Sequence, residues 1–288
     1  MREKEYLKPK FINDENISHE KYLWRYMDLH KFLSFILTKS LYLTRFDKFE
    51  DKREGINIEH LIYKSIKRNL DNMPKFKEMA KYVTVDNLGS TMNKIEDELK
   101  IIQRFNFANC WILGEESNES VAMWNLYSNP NSIAIKIKYS DFKKKFANEQ
   151  VINHGLLEEI ICSPIEYVNF HDDEKIFKLF KEKKNDTIFM KDISFSHEKE
   201  FRLVVKEKVR ETPSIEYKEN VSRKHVEKLH NSIYNYHGIT IVLKDFENYN
   251  FEIIHHPKSE SWAKENINQI VKEFNVNFRI SESKLELN

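Results

Sequence analysis

The sequence predicts one α+β domain decorated by helices, on three observations. Aromatic residues make up 13% of the 288, enough for a packed core despite a charged fraction of 32%. Short aromatic and β-branched runs interleave with stripes of helical period along the chain. No long linker, low-complexity run or internal repeat divides it. The core is expected over residues 20–55 and 105–255. A helical insertion is expected over 56–104, and a helix and strand over 256–288.

Taken in order, Tyr22 to Tyr26 reads as an aromatic strand and Asp28 as a helix N-cap. Leu29, Phe32, Leu33, Ile36 and Leu37 then make one helical stripe. Leu41 to Phe46 is a second strand, followed by the charged turn Phe49-Glu50-Asp51-Lys52-Arg53-Glu54-Gly55. Ile56 to Gln103 is polar and helical in pattern, with its charges read as solvated faces. Phe107 to Leu113 is a strand. Asn118 is a candidate cap for a short helix over Val121 to Tyr127, and Ser132 to Tyr139 is a strand. Asp141 to Ala147 reads as a helix, Ile160 to Phe170 as a strand broken at Pro164, and Asp172 to Lys191 as a helix. Phe201 to Val205, Gly238 to Leu243, Phe251 to Ile254 and Asn277 to Ile280 are further strands, with a helix capped by Ser259 before the last.

Composition removes several classes. Lys and Arg total 47 against 46 for Asp and Glu, so a net charge of +1 gives no global pull toward nucleic acid or membrane. Five glycines leave no glycine-rich phosphate loop. Cys110 and Cys162 make neither a disulfide framework nor a zinc spacing and read as small buried hydrophobes. No metal is expected. The first ten residues are too charged for a signal peptide, and no apolar run approaches the ~20 residues of a membrane span. A cytoplasmic location without membrane contact is the expectation.

Chemistry concentrates in Phe195-Ser196-His197-Glu198-Lys199-Glu200-Phe201-Arg202, which runs into a strand. On an extended chain Glu198 and Glu200 point to the same side. Two such carboxylates repel unless a cation or substrate lies between them. The structural alternative is an ion-pair network of Glu198, Glu200, Arg25 and Arg202 at the sheet edge. Asp51 and Glu54 lack a third ligand and read as a solvated turn. His197 reads equally as a proton shuttle or a hydrogen-bonded structural residue. His255 and His256 are adjacent on a strand, so they diverge.

The motifs Leu23-Trp24-Arg25-Tyr26-Met27-Asp28, Ser40 to Arg45, Phe49 to Gly55, Asn109-Cys110-Trp111, Glu119 to Tyr127 with Ile133-Ala134-Ile135, and Phe195 to Arg202 resemble a bacterial domain family of unknown function, DUF2971. Two positions depart from its pattern, Lys52 in place of a turn proline and Ser132 in place of a glycine. The order of elements also resembles, more distantly, the ADP-ribosyltransferase layout. That resemblance implies a mixed or antiparallel, split sheet and NAD as substrate. Glu200 is then the carboxylate that stabilises positive charge on the ribose as the nicotinamide bond breaks, with Glu198 orienting or deprotonating the acceptor. Arg25 first and Arg45 second would hold the pyrophosphate. Tyr26, Trp124 or Tyr127 would stack a flat ring, and Thr44 would bond the ribose. The acceptor is a protein, a nucleic acid or water, as in a toxin or anti-phage effector. Two other functions compete: a non-catalytic module binding a nucleotide or a protein through the same arginine and aromatics, and a nucleic-acid-targeting effector using runs such as Lys143-Lys144-Lys145.

Overall fold

The computed structural model describes residues 5–56, 58–68, 96–97, 99–100, 102–117, 119–153, 156–182, 187–208 and 236–286. Its strands in chain order are β1 (Glu5–Leu7), β2 (Lys10–Phe11), β3 (Tyr22–Met27), β4 (Ser40–Arg45), β5 (Asn106–Gly114), β6 (Ile133–Lys138), β7 (Val151–Asn153), β8 (Leu157–Pro164), β9 (Glu166–Val168), β10 (Met190–Asp192), β11 (Glu200–Glu207), β12 (Gly238–Val242), β13 (Glu252–His255) and β14 (Arg279–Ser281). The helices are α1 (Leu29–Thr38), α2 (Ile58–Arg68), α3 (Val121–Tyr127), α4 (Tyr139–Phe146), α5 (Asp173–Lys181) and α6 (Ser261–Glu273).

Ten of the strands join one mixed sheet in the order β14-β13-β6-β3-β5-β11-β8-β2, with β4 and β12 branching from β5. All its pairings are antiparallel except β13 with β14 and β2 with β8. The nine-residue β5 organises the sheet. One of its edges pairs with β11 along seven residues. The other is shared, with β3 on its C-terminal half and β4 on its N-terminal end, so the sheet forks there.

Alternation assigns the two faces. Leu23, Met27, Trp111, Ile135, Phe201 and Leu203 enter the main core, which α1, α4 and α6 cover with residues such as Phe32, Phe142 and Ile267. The residues between them in sequence face the other way, where α3 places Met123 and Trp124 against Trp24 and Tyr26. Further along that face Ala108, Ile161 and Val204 pack with Phe46 and Phe189.

Asp28 caps α1 as predicted, its carboxylate accepting from the Lys31 amide at 2.8 Å. Other boundaries moved for physical reasons. Ser120 caps α3, accepting from the Met123 amide, while Asn118 lies outside the described residues. Glu260 stands at the start of α6, and Ser259 instead closes a turn on the His256 carbonyl. The helix expected from Asp172 to Lys191 ends at Lys181, because Met190–Asp192 is drawn into a parallel ladder with β9. Of the insertion, α2 is described, and residues 69–95 lie outside the described set.

Gly238 opens β12 opposite Thr44. A Cβ there would run into the Leu43 carbonyl oxygen and the Tyr42 ring. Backbone cannot yield as a side-chain tip can, so Gly238→Ala is expected to cost about 1–3 kcal/mol. Urea denaturation measures it, and a variant as stable as the parent would show that β12 shifts freely.

Candidate functional site

The sequence run singled out above folds differently from an extended chain. Ile193–Glu198 is a 3-10 segment whose cap, Asp192, accepts from the Ser194 amide at 3.1 Å. Lys199 is left-handed at φ 43°. Only Glu200 therefore lies on β11, and the two glutamates meet through a turn rather than through strand pleating.

They meet at Lys191, a residue the sequence reading passed over because it placed it in a helix. Its Nζ lies 2.7 Å from Glu198, 3.4 Å from Glu200 and 3.3 Å from Glu54. Beneath it, Arg202 is 0% exposed and forks onto Glu200, with Nε to Oε1 at 2.7 Å and the second nitrogen to Oε2 at 3.1 Å. The remaining Arg202 nitrogen reaches Glu54 at 3.0 Å and the Ile188 carbonyl at 2.9 Å. Its guanidinium also lies over Phe46 and Phe49. Three carboxylates thus share two cations, and the Tyr167 hydroxyl accepts the Glu200 amide at 2.8 Å.

Electrostatics follow from that pairing. Burial by itself raises the Glu200 pKa, but Arg202 and its hydrogen bonds, with Lys191, outweigh burial and hold the carboxyl at about 2. Burial pushes Lys191 down and the carboxylates, Glu200 first, push it further up, so it stays charged. Cys110, beside Glu200, is pushed well up by burial and then by that carboxylate, which makes it an inert thiol. A buried network with its members paired at these distances holds structure together.

The other predicted residues divide. Tyr127, half exposed at 48%, donates its hydroxyl to Glu198 at 3.1 Å and joins the cluster at its rim. Tyr26 and Trp124 share that face but are core: their rings pack edge-on at 4.7 Å, the Tyr26 oxygen accepts the Ser120 amide at 2.9 Å, and the Trp124 indole donates to Glu119 at 2.9 Å. Burial pushes the Tyr26 hydroxyl up to about 12. No ring surface is left on either for stacking. Thr44 registers with Ala108 on β5. Arg45 is buried and forked onto Asp47 at 2.7 and 3.0 Å. Asp51 accepts from the Arg53 amide at 2.9 Å, and Glu54 belongs to the Arg202 cluster, so the pair does not act together. His197 is exposed, its Nδ1 3.2 Å from the Ser194 carbonyl. Among the described residues no group of histidine, cysteine or carboxylate side chains could hold a metal ion, and no helix is long and apolar enough to cross a membrane.

Arg25 is the main correction. The expected shared cleft with Glu200 does not form, because β3 and β11 present the two residues to opposite faces of the sheet. Trp24, Ile112 and Glu200 share one cross-strand row. Arg25 is one residue on, and its guanidinium lies 5.9 Å from the ring of Trp111, a residue of the main core. There it is half-buried, and no acid among the described residues pairs with it. Burial pulls its pKa down to about 10, so it remains a cation at neutral pH. On the same face of β5, the Trp111 indole nitrogen and the Asn109 side-chain oxygen are buried without hydrogen-bond partners.

No curated protein matches this chain, and no solved structure does. Residues 123–203 match the model of a family described as a protein of unknown function, DUF2971. The match runs from α3 through β6 to the fourth residue of β11, so it includes Lys191, Glu198, Glu200 and Arg202, while the motifs before residue 123 lie outside it. Through that segment the chain is similar to the DUF2971 family.

Proposed function

We propose that this chain is a non-catalytic binding module that holds a nucleotide by its phosphate through Arg25. The state of that arginine supports the reading. A guanidinium drawn partly out of water with no anion beside it is costly unless a partner is supplied. Phosphate offers the bidentate acceptor that the fork fits. The nucleotide class is the one implied by the sequence resemblance, and the phosphate is what the side chain itself calls for. Glu200, by contrast, already has its charge met by Arg202 and Lys191 at 5% exposure, which leaves little to offer a cationic transition state.

Calorimetric titration with ATP, ADP and NAD tests the reading. Saturable binding is expected, at least tenfold weaker in Arg25→Ala, with the unfolding midpoint of the variant unchanged or raised. Equal affinity in the variant, or no binding of any of the three, removes the proposal.

A second reading, an NAD-consuming effector of toxin or anti-phage type, keeps one supporting observation. Glu198 and Tyr127 meet at the rim of the cluster, on the face that carries the aromatic helix. In that reading Glu198, rather than the tied Glu200, would face the ribose.

A further inference from the structure

Six residues align across six strands on the sheet face opposite Arg25. Cross-strand register sets Arg279 beside Glu252, Glu252 beside Lys136, Lys136 beside Trp24, Trp24 beside Ile112, and Ile112 beside Glu200. At the β14 end of this row, signs alternate directly across the strands.

Lys136 is the unusual member. It is 4% exposed, on a strand whose other side belongs to the main core. Its ammonium sits over the Trp24 and Tyr22 rings at 5.1 and 5.5 Å. An ammonium carries three donors. Here its oxygen contacts are Glu252 Oε2 at 3.4 Å and the Glu116 carbonyl at 3.4 Å. Both exceed the ordinary length for such a bond. Glu252 is similarly underused: its Oε1 accepts the Ser281 hydroxyl at 2.6 Å and lies 3.9 Å from Arg279, but among the described residues its Oε2 has only the distant Lys136.

These two groups line a cavity of about 150 Å³. Trp24 and Ile254 give it apolar wall, and its rim carries Arg279 and Lys284 with Glu116 and Glu282. The strap from Ser281 to Lys284 is held over it by Glu119, which accepts the Ser283 hydroxyl and, at 2.9 Å, the Lys284 amide.

We infer that this cavity is a binding site for a small zwitterion, a free α-amino acid. A lone anion would meet the carboxylates of the wall, and a lone cation would meet Lys136 and Arg279. A molecule with one carboxylate and one ammonium satisfies both: its carboxylate takes the free Lys136 donors, its ammonium takes Glu252 Oε2, and its side chain lies against Ile254 and Trp24. A cavity of this size admits a ligand the size of benzene, about six non-hydrogen atoms, which matches a small free amino acid. The site stands independently of Arg25.

Thermal-shift and calorimetric titration of the full chain with the free amino acids tests this, with the matching N-acetyl amino acid amides as controls. At least one free amino acid is expected to bind saturably and raise the unfolding midpoint, while its blocked amide does neither. Lys136→Met is expected to weaken binding at least tenfold. Arg279→Ala, on the exposed rim, is expected to weaken it several-fold with the fold intact, and it decides the matter if Lys136→Met does not fold. No binding by any free amino acid, equal binding by the blocked amide, or unchanged affinity in both variants overturns the assignment. Arg25→Ala leaves this binding untouched.

Discussion

Arg202→Met is expected to lower the free energy of unfolding by about 3–5 kcal/mol, the cost of breaking a buried ion cluster from one side. Methionine replaces the apolar stem of the arginine but not its guanidinium, so the loss reports mainly the missing charge and its bonds. It removes the fork onto Glu200, the bond to Glu54 and the bond to the Ile188 carbonyl together. Lys191 would then face three carboxylates alone, two of them at 5% exposure or less. Urea denaturation at neutral pH reads the loss as a lower midpoint at unchanged slope. A loss below about 1 kcal/mol would mean that the network is solvated in solution and contributes as little as surface pairs do.

Acid should dismantle the same cluster. The Glu200 carboxyl has an ordinary value of 4.5 and is held at about 2 in the fold. A depressed carboxyl contributes stability that is complete above pH 4.5 and is lost as pH falls through 2. The stability carried by that displacement is therefore lost across the window between the two values. Other carboxylates titrate in this range too, Asp14, Asp47 and Asp192 among them, each lowered despite burial by cationic partners or backbone donors. The comparison that isolates Glu200 is therefore wild type against Glu200→Gln. Their gap in stability, wide at pH 7, is expected to narrow steadily between pH 4.5 and 2. A gap that stays constant over that window would place the cluster's stability elsewhere.

Periodicity made most elements legible. The stripe at Leu29, Phe32, Leu33, Ile36 and Leu37 became α1, and the aromatic run from Val121 to Tyr127 became α3 with those bounds. Both depend on local pattern and a nearby cap. The mixed character of the sheet agrees with the α+β reading, and no solved structure matches the chain to bear on the ADP-ribosyltransferase layout. Sequence spacing failed where one residue of shift decides a side. Arg25 and Trp24 are neighbours, yet one faces the main core and the other faces α3, and only the register with β5 distinguishes them. The link from Glu54 to Arg202 crosses 148 positions, and nothing local marks it. Lys191 was hidden by a helical pattern that the β9 ladder overrode. Nothing local marks Lys136, because its surroundings come from β13, β14 and the strap from Ser281 to Lys284, all more than 100 residues away.

The two arginines summarise the electrostatic division of the molecule. Arg202 is enclosed by partners, and its loss is expected to be structural; Arg25 has none among the described residues, and its loss is expected to be read by the proposed ligand. Mass-spectrometric analysis of NAD incubated with the purified full chain tests that division most directly. Intact NAD, recovered in full from a sample that binds it saturably, is the predicted result. Steady release of nicotinamide that disappears in Glu198→Gln would contradict it and return the Glu198–Tyr127 rim to the role of a catalytic centre.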